Sequence, residues 1–267
     1  MNISTGSASL VEQLSRSCGS SLLDVHSDID HNRSVFTLYG TTILEDLKSL
    51  CAESLRCIDI ESHTGVHPRF GAVDVVPFVP YELGQDALPL ALSEAIRYRD
   101  EFARFAAEEF GVNAYVYGPE RSLPETRRSI RDGVPPSFGA KRYDIRRGSM
   151  CIGARNPLVA YNLIVEASLQ EAKRIARDLR NERVRTLVFE VKEGVQISAN
   201  LVEPWIVGPI PFYEKVEAMT IIKSAELVGL IPGYCLLATE RPLETFGLAP
   251  ASTIEARVEK SLRNRME

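Results

Sequence analysis

All four histidines of this 267-residue chain fall in its first quarter: His26, His31, His63 and His67. They sit in two short segments, DVHSDIDHNRS and SHTGVHPRFGAVD. An imidazole titrates near neutral pH, so it can take a proton and return it within one turnover. Pro68 fixes the backbone after His67 and also restricts His67 itself. Arg69 offers a planar fork for a carboxylate. Gly71 permits a backbone approach that a side chain would block. The alternation of Asp24, His26, Asp28, Asp30 and His31 suggests a metal site, as does the four-residue spacing of His63 and His67. Gly65 and Pro68 argue against the helix that would put the last pair on one face. No HExxH or comparable ligand spacing occurs, so no metal is expected. Histidines satisfied within their loops are the plain alternative. There is no GxSxG elbow, P-loop or GxGxxG run, which argues against a serine hydrolase and against nucleotide binding by those devices.

These residues sit in a chain of globular composition, 45% hydrophobic and 25% charged. The net charge is −5, which argues against a general nucleic-acid binder. No apolar run approaches the roughly 20 residues of a membrane helix. The start, MNISTGSASLVEQL, has neither the basic flank nor the apolar core of a secretory signal. Cys18, Cys51, Cys57, Cys151 and Cys235 are scattered, without a CxxC pair. That favours small core residues over a disulfide framework or zinc ribbon, and a cytoplasmic location. One stretch departs from the acidic average. Between Glu120 and Arg155 there are nine Lys/Arg against four Asp/Glu. It reads either as a solvated face between domains or as a site for an anionic ligand.

The second half has the clearer element pattern. Pro157, after a Gly-Ala-Arg-Asn turn, opens a strand over 158–167. Ser168 caps a helix over 168–182. Two strands over 186–202 flank a turn at Lys192-Glu193-Gly194. A helix over 210–225 has proline near its start, a strand follows at 226–232, and a last helix spans Ile254 to Arg265. The order is βαββαβ. The first half predicts a helix over 7–18, strands over 21–27 and 34–40 joined by the loop Asp28 to Arg33, a helix over 41–55 capped by Thr41 or Thr42, and a strand over 72–80. Its opening strand is missing or reduced to Met1 to Thr5. A helix from Leu88 to Phe110 and a strand over 113–118 extend this half. Residues 118–155 read as a Pro- and Gly-rich connector. The repetition predicts an α+β chain of two tandem ferredoxin-like (βαββαβ) subdomains, 1–156 and 157–267, the first lacking most of its opening strand.

The runs LLDVHSDIDHNRSVFTLYG and HTGVHPRFGAVDVVPFVP resemble the glutamate formimidoyltransferase family, which includes the N-terminal part of the bifunctional formimidoyltransferase-cyclodeaminases. Further matches are PSFG, the GAR at Gly153 to Arg155, AYN at Ala160 to Asn162, VQISANL at Val195 to Leu201 and ELVGLIP at Glu226 to Pro232. The likeness covers nearly the whole chain and includes no cyclodeaminase module. It implies transfer of a formimidoyl group from N-formimidoyl-L-glutamate to N5 of tetrahydrofolate, in histidine degradation. Tetrahydrofolate would be the co-substrate, without a metal, in a homodimer with a charged tunnel for the folate. By position in the HPRxG motif, His67 is the catalytic residue. The family's folate-contacting stretch falls on Gly139, Ala140, Lys141, Arg142, Tyr143, Asp144, Ile145, Arg146, Arg147 and Gly148. Asp24, His26, Asn32, Arg33, Arg69 and Gly71 form the substrate-binding set, with Arg146 and Arg147 also able to meet carboxylates.

Two departures stand against the family pattern. The family's opening strand ends in a VPNFSEG-like run, and here only Asn2-Ile3-Ser4-Thr5-Gly6 corresponds. Either the start lies upstream or the sheet has lost an edge. The connector is also shorter and more charged, with Tyr143-Asp144-Ile145-Arg146-Arg147 in place of an aromatic segment. This favours a polyglutamate tail on the folate, or a different donor or acceptor. Related formyl transfer between 5-formyltetrahydrofolate and glutamate, a non-catalytic folate-binding paralog and a metal-dependent hydrolase are the alternatives.

Overall fold

The computed structural model describes residues 1–84, 89–237 and 239–264. The fold is α+β with two sheets. The chain divides into two compact units. One is Met1–Pro80 with Leu90–Arg155; the other comprises the described residues of Tyr81–Pro89 and Asn156–Glu267.

The first unit runs β1 (Asn2–Ile3), α1 (Ala8–Ser17), β2 (Leu22–Asp28), β3 (Arg33–Leu38), α2 (Ile43–Cys57), β4 (Val73–Phe78), α3 (Ser93–Glu109), β5 (Asn113–Tyr117), α4 (Leu123–Arg131) and β6 (Ser149–Ala154). Its strand order is β2-β3-β1-β4-β6-β5. β1 is antiparallel to both neighbours, whereas β4, β6 and β5 are mutually parallel. Alternation along the strands sends Ile3, Phe36, Val76 and Ile152 into a core with Leu14 of α1, Leu50 of α2 and Phe102 of α3. The opposite face is partly covered by α4, whose Leu123 and Ile130 meet Val75, Tyr117 and Cys151.

The second unit runs β7 (Val159–Val165), α5 (Leu169–Leu179), β8 (Val184–Val191), β9 (Gly194–Leu201), α6 (Pro209–Glu217), β10 (Ile222–Val228) and α7 (Ile254–Arg263). The order is β10-β7-β9-β8, antiparallel throughout. Tyr161, Leu163, Ile197 and Leu201 face Ile175 of α5 and Phe212 of α6 in a second core. Ser168 caps α5 through a reciprocal capping box with Glu171, as the sequence predicts.

Several sequence expectations change. The connector over 118–155 holds a helix, α4, and a strand, β6, that lies between β4 and β5. Gly153 and Ala154, expected in a turn, end that strand. A Cβ on Gly153 would lie 2.1 Å from the Tyr117 ring, so glycine here makes room for an aromatic rather than a bend. The short β1 lies inside the sheet, between β3 and β4, and not at an edge. Ser4 continues its pairing, donating from N to Ala72 O at 2.8 Å. The helix expected over 210–225 stops at Glu217, and Ile222–Ala225 belong to β10. The turn between them is pinned to the end of β7, with Glu166 N donating to Ile221 O at 2.9 Å and Thr220 Oγ1 to Glu166 O at 3.1 Å. The expected helix start at Leu88 and helix end at Arg265 lie outside the described residues. All five cysteines are free. Among the described residues, no helix is long and apolar enough to cross a membrane.

Candidate active site

The pairing of β1 with β3 and β4, and of β4 with β6, brings one end of β1 beside the starts of the other three. The segments entering or leaving these strands therefore gather at one end of the first sheet. They carry most of the residues singled out by sequence.

Asp74, fully buried near the start of β4, lies at the centre. Its Oδ2 accepts from Arg33 Nη1 at 2.8 Å and from Arg127 Nη2, and its Oδ1 accepts from Phe70 N at 2.9 Å. Burial raises the carboxyl's pKa, but Arg33 and Arg127 outweigh it and hold the group below its ordinary value. Arg33 also donates from Nε to Asn2 Oδ1 at 3.1 Å.

His67 is half-buried, with Nδ1 2.8 Å from Pro68 O. A carbonyl only accepts, so Nδ1 carries the hydrogen and Nε2 the lone pair. Burial, then the charges of Arg33 and Arg127, push its pKa down to about 3. The base form therefore prevails near neutral pH. The His31 ring lies 5.9 Å away, centroid to centroid. His31 is buried, its N donating to Asp28 Oδ1 at 2.8 Å.

His63 and Arg69 shape the loop that presents His67. His63 Nε2 lies 3.1 Å from Asn32 O, and its Nδ1 bonds Arg69 Nη1. Arg69 Nη2 donates to Gly65 O and His67 O, both at 2.7 Å. The guanidinium expected to meet a carboxylate thus bonds within its own loop. Asn32 joins two further segments, accepting from Gly6 N at 2.7 Å and donating to Thr64 O at 2.8 Å. Its φ of 45° is one that asparagine tolerates better than most residues.

The remaining predicted residues are spread along or around this end. Asp24, His26 and Asp28 pair with Thr37, Val35 and Arg33, on one face of the β2–β3 ladder. Asp24 is therefore roughly 13 Å along the strand from Asp28. Gly71 bridges Gly148, and a Cβ on it would lie 2.4 Å from Ser149 O. Its small size serves the approach of the chain entering β6.

In the 139–148 segment, Ala140 N donates to Asn113 Oδ1 at 3.1 Å, and Ile60 N donates to Arg146 O at 2.8 Å. Asp144 pairs with both Arg146 and Arg147 at 3.4 Å. Gly139, Lys141, Arg142, Tyr143 and Ile145 are exposed. Among the described residues, no group of three or more His, Cys, Asp or Glu side chains is arranged to hold a metal ion.

Asp74 and Arg127 carry two of the cluster's three charges but are not among the residues singled out by sequence. Asp74 closes the HPRFGAVD run, and its place there was its one signal. Arg127 lies in the stretch read as a connector. The Ser-Leu-Pro-Glu run before it is a capping-box signature, and Ser122 and Glu125 form that box at the start of α4.

Residues 1–155 match the family model of the formiminotransferase domain, N-terminal subdomain. The chain belongs to the formiminotransferase family. It is 30% identical over 254 residues to a formimidoyltransferase-cyclodeaminase of Sus scrofa, covering 82% of this chain and 46% of that protein. Against the glutamate formimidoyltransferase of Thermoplasma acidophilum it is 29% identical over 280 residues, covering 90% and 88%. Against that of Streptococcus pyogenes serotype M1 it is 28% identical over 261 residues, covering 88% and 81%. This formiminotransferase-family chain thus spans about half the length of the cyclodeaminase-bearing relatives it matches.

Proposed function

We propose that the chain transfers a formimidoyl group from N-formimidoyl-L-glutamate to N5 of tetrahydrofolate, with His67 as general base and then general acid. The observation that carries this reading is the placement of a neutral His67 beside the Arg33–Asp74–Arg127 cluster. The names of the glutamate formimidoyltransferase relatives support the donor and the transferred group.

In the proposed reaction N5 attacks the formimidoyl carbon, and the C=N π pair moves onto the imino nitrogen. Nε2 of His67 takes the N5 proton. When the tetrahedral intermediate collapses, the bond to the glutamate nitrogen breaks and its electron pair leaves with that nitrogen. His67 returns its proton there. The net change moves one hydrogen from N5 to glutamate, and no metal or covalent enzyme intermediate is needed. The rest of the task is positioning two anionic molecules. Segment 139–148 is the proposed folate contact, and Asp24, His26, Asn32, Arg33, Arg69 and Gly71 form the surrounding substrate-binding set. Of this set, Arg69 and Gly71 act through loop and strand packing.

The proposal extends to a tandem ferredoxin-like architecture, a homodimer, a cytoplasmic setting and a place in histidine degradation. The repeated strand orders β2-β3-β1-β4 and β8-β9-β7-β10 support the first.

The test is a spectrophotometric assay with both substrates, reading 5,10-methenyltetrahydrofolate after acid treatment. Wild-type signal that vanishes in His67→Ala is the expected result. Wild-type turnover retained in His67→Ala removes the histidine's role. No turnover alongside tetrahydrofolate binding favours a binding-only paralog, and turnover of 5-formyltetrahydrofolate with glutamate favours formyl transfer.

A further inference from the structure

Arg33 comes from β3 and Arg127 from α4, yet both reach one oxygen of Asp74. The Asp74 side chain is 0% exposed, and those of Arg33 and Arg127 are 13% and 15% exposed. Two cations against one anion leave a positive charge in excess in a largely buried cluster. Such a charge is costly unless a counter-charge joins it. The bonds to Asp74 and Asn2 occupy two of the five N–H donors of Arg33, and Asp74 takes one from Arg127. The guanidiniums are thus pinned in place, retain donor capacity and still touch solvent.

We propose that Arg33 and Arg127, pinned by Asp74, form the seat of a carboxylate: the one on the donor carbon that bears the departing nitrogen. A guanidinium fork matches a carboxylate in shape and charge. Phe70, three residues after His67, donates to Asp74 Oδ1, and both cations act on the imidazole, so the seat lies near the base. The chosen carboxylate is two bonds from the nitrogen that must receive a proton. Holding it there brings that nitrogen to the residue that delivers the proton. The charged and titratable groups around His67 include His31 on the 28–33 loop, Arg33 on β3, Arg69, which donates to His67 O, Asp74 on β4 and Arg127 on α4. A carboxylate added to them cancels the excess charge and makes His67 more basic in the complex than in the free protein.

This inference rests on the proposed transfer reaction for the identity of the donor, but its test needs no turnover. L-Glutamate is the probe, with L-isoglutamine as the α-amide and L-glutamine as the γ-amide, titrated by calorimetry into wild type, Arg127→Gln and Arg127→Lys. Asp74 keeps Arg33 in both variants, and circular dichroism checks the fold. The expected result is a loss of about tenfold to a hundredfold in glutamate affinity in Arg127→Gln, with partial recovery in Arg127→Lys. Isoglutamine should bind wild type as weakly as glutamate binds Arg127→Gln, while glutamine keeps its sensitivity to the variant. NMR of His67 should show its titration moving upward when glutamate binds wild type. Equal glutamate affinity in wild type and Arg127→Gln, sensitivity that follows the γ-carboxylate, or no saturable glutamate binding by wild type would each overturn the seat. Glutamate binding that depends on Arg127 in a protein without transferase activity would leave the seat standing and remove the transfer reaction. Transfer with an unchanged donor KM in Arg127→Gln would do the reverse.

Discussion

A carboxylate shut away from water and shared by two guanidiniums is favourable only while all three charges remain. Asp74→Asn keeps the shape and removes the anion, leaving Arg33 and Arg127 to face each other in a largely buried place. The expected loss of stability is about 3–5 kcal/mol at neutral pH, read from urea unfolding curves. The folded carboxyl is held below its ordinary value of 3.8. Its stabilising contribution is therefore complete above that value and disappears as pH falls through the lower, folded one. Wild type and variant should converge in strongly acid solution. His67 gives a different signature. The unfolded chain takes up its proton near 6.5, the folded chain only near 3. Between those values the unfolded state holds the extra proton, so stability falls as pH drops. In the free protein, the His67 ring signals should stay at neutral-imidazole positions from pH 8 down to about 5. The acid limb of kcat/KM, which reports the free protein, should then lie well below 6.5. A His67 titration at 6.5 in the free protein would show that the cluster does not act on it.

At the scale of elements, a segment was legible where its pattern was local. The Lys192-Glu193-Gly194 turn and the Ser168 cap are set by residues within a few positions of one another, and both are found where expected. β6 was not legible, because its Ser-Met-Cys-Ile-Gly-Ala sequence is short and contains a glycine. That glycine is explained by the Tyr117 ring, which arrives from another strand. An apolar run through Ile221 and Ile222 extends the helical pattern beyond the end of α6, while the contact that pins the turn there comes from Glu166, just past β7. The candidate site divides in the same way. The histidine loops can be read from their spacing, but the tie between Asp74 and Arg127 joins residues 53 apart through a helix inside a stretch whose proline and glycine content reads as a connector. That helix is held at its start by Ser122, whose Oγ and N both bond the Glu125 carboxylate. Removing the cap by Ser122→Ala should cost about 1 kcal/mol of stability. Hydrogen exchange should rise first in α4, the element that carries Arg127. Unchanged exchange over 123–131 would show that α4 is held by its packing against Val75 and Cys151 instead.

At the scale of the whole chain, the net charge of −5 opposes the approach of anionic molecules, while the stretch from Glu120 to Arg155 is locally positive. The structure divides that positive charge into two parts. Arg127 is committed to Asp74, and Arg146 and Arg147 pair with Asp144. Lys141 and Arg142, in contrast, are exposed on the segment proposed to meet the folate. Charges of this second kind act through solvent and are screened beyond about 8 Å at physiological ionic strength. They steer an incoming anion more than they hold a bound one. Under the proposed function, each added glutamate on the folate tail lengthens the anionic chain that this segment can attract. Raising salt from about 0.02 to about 0.3 M should therefore raise KM several-fold for a polyglutamylated tetrahydrofolate and much less for the monoglutamate. Lys141→Gln combined with Arg142→Gln should remove most of that difference and leave kcat unchanged, because neither charge contributes to the cluster around His67. Equal salt dependence for the two folates would show that the local charge does not read the tail, and that the long-range field of the acidic chain dominates approach.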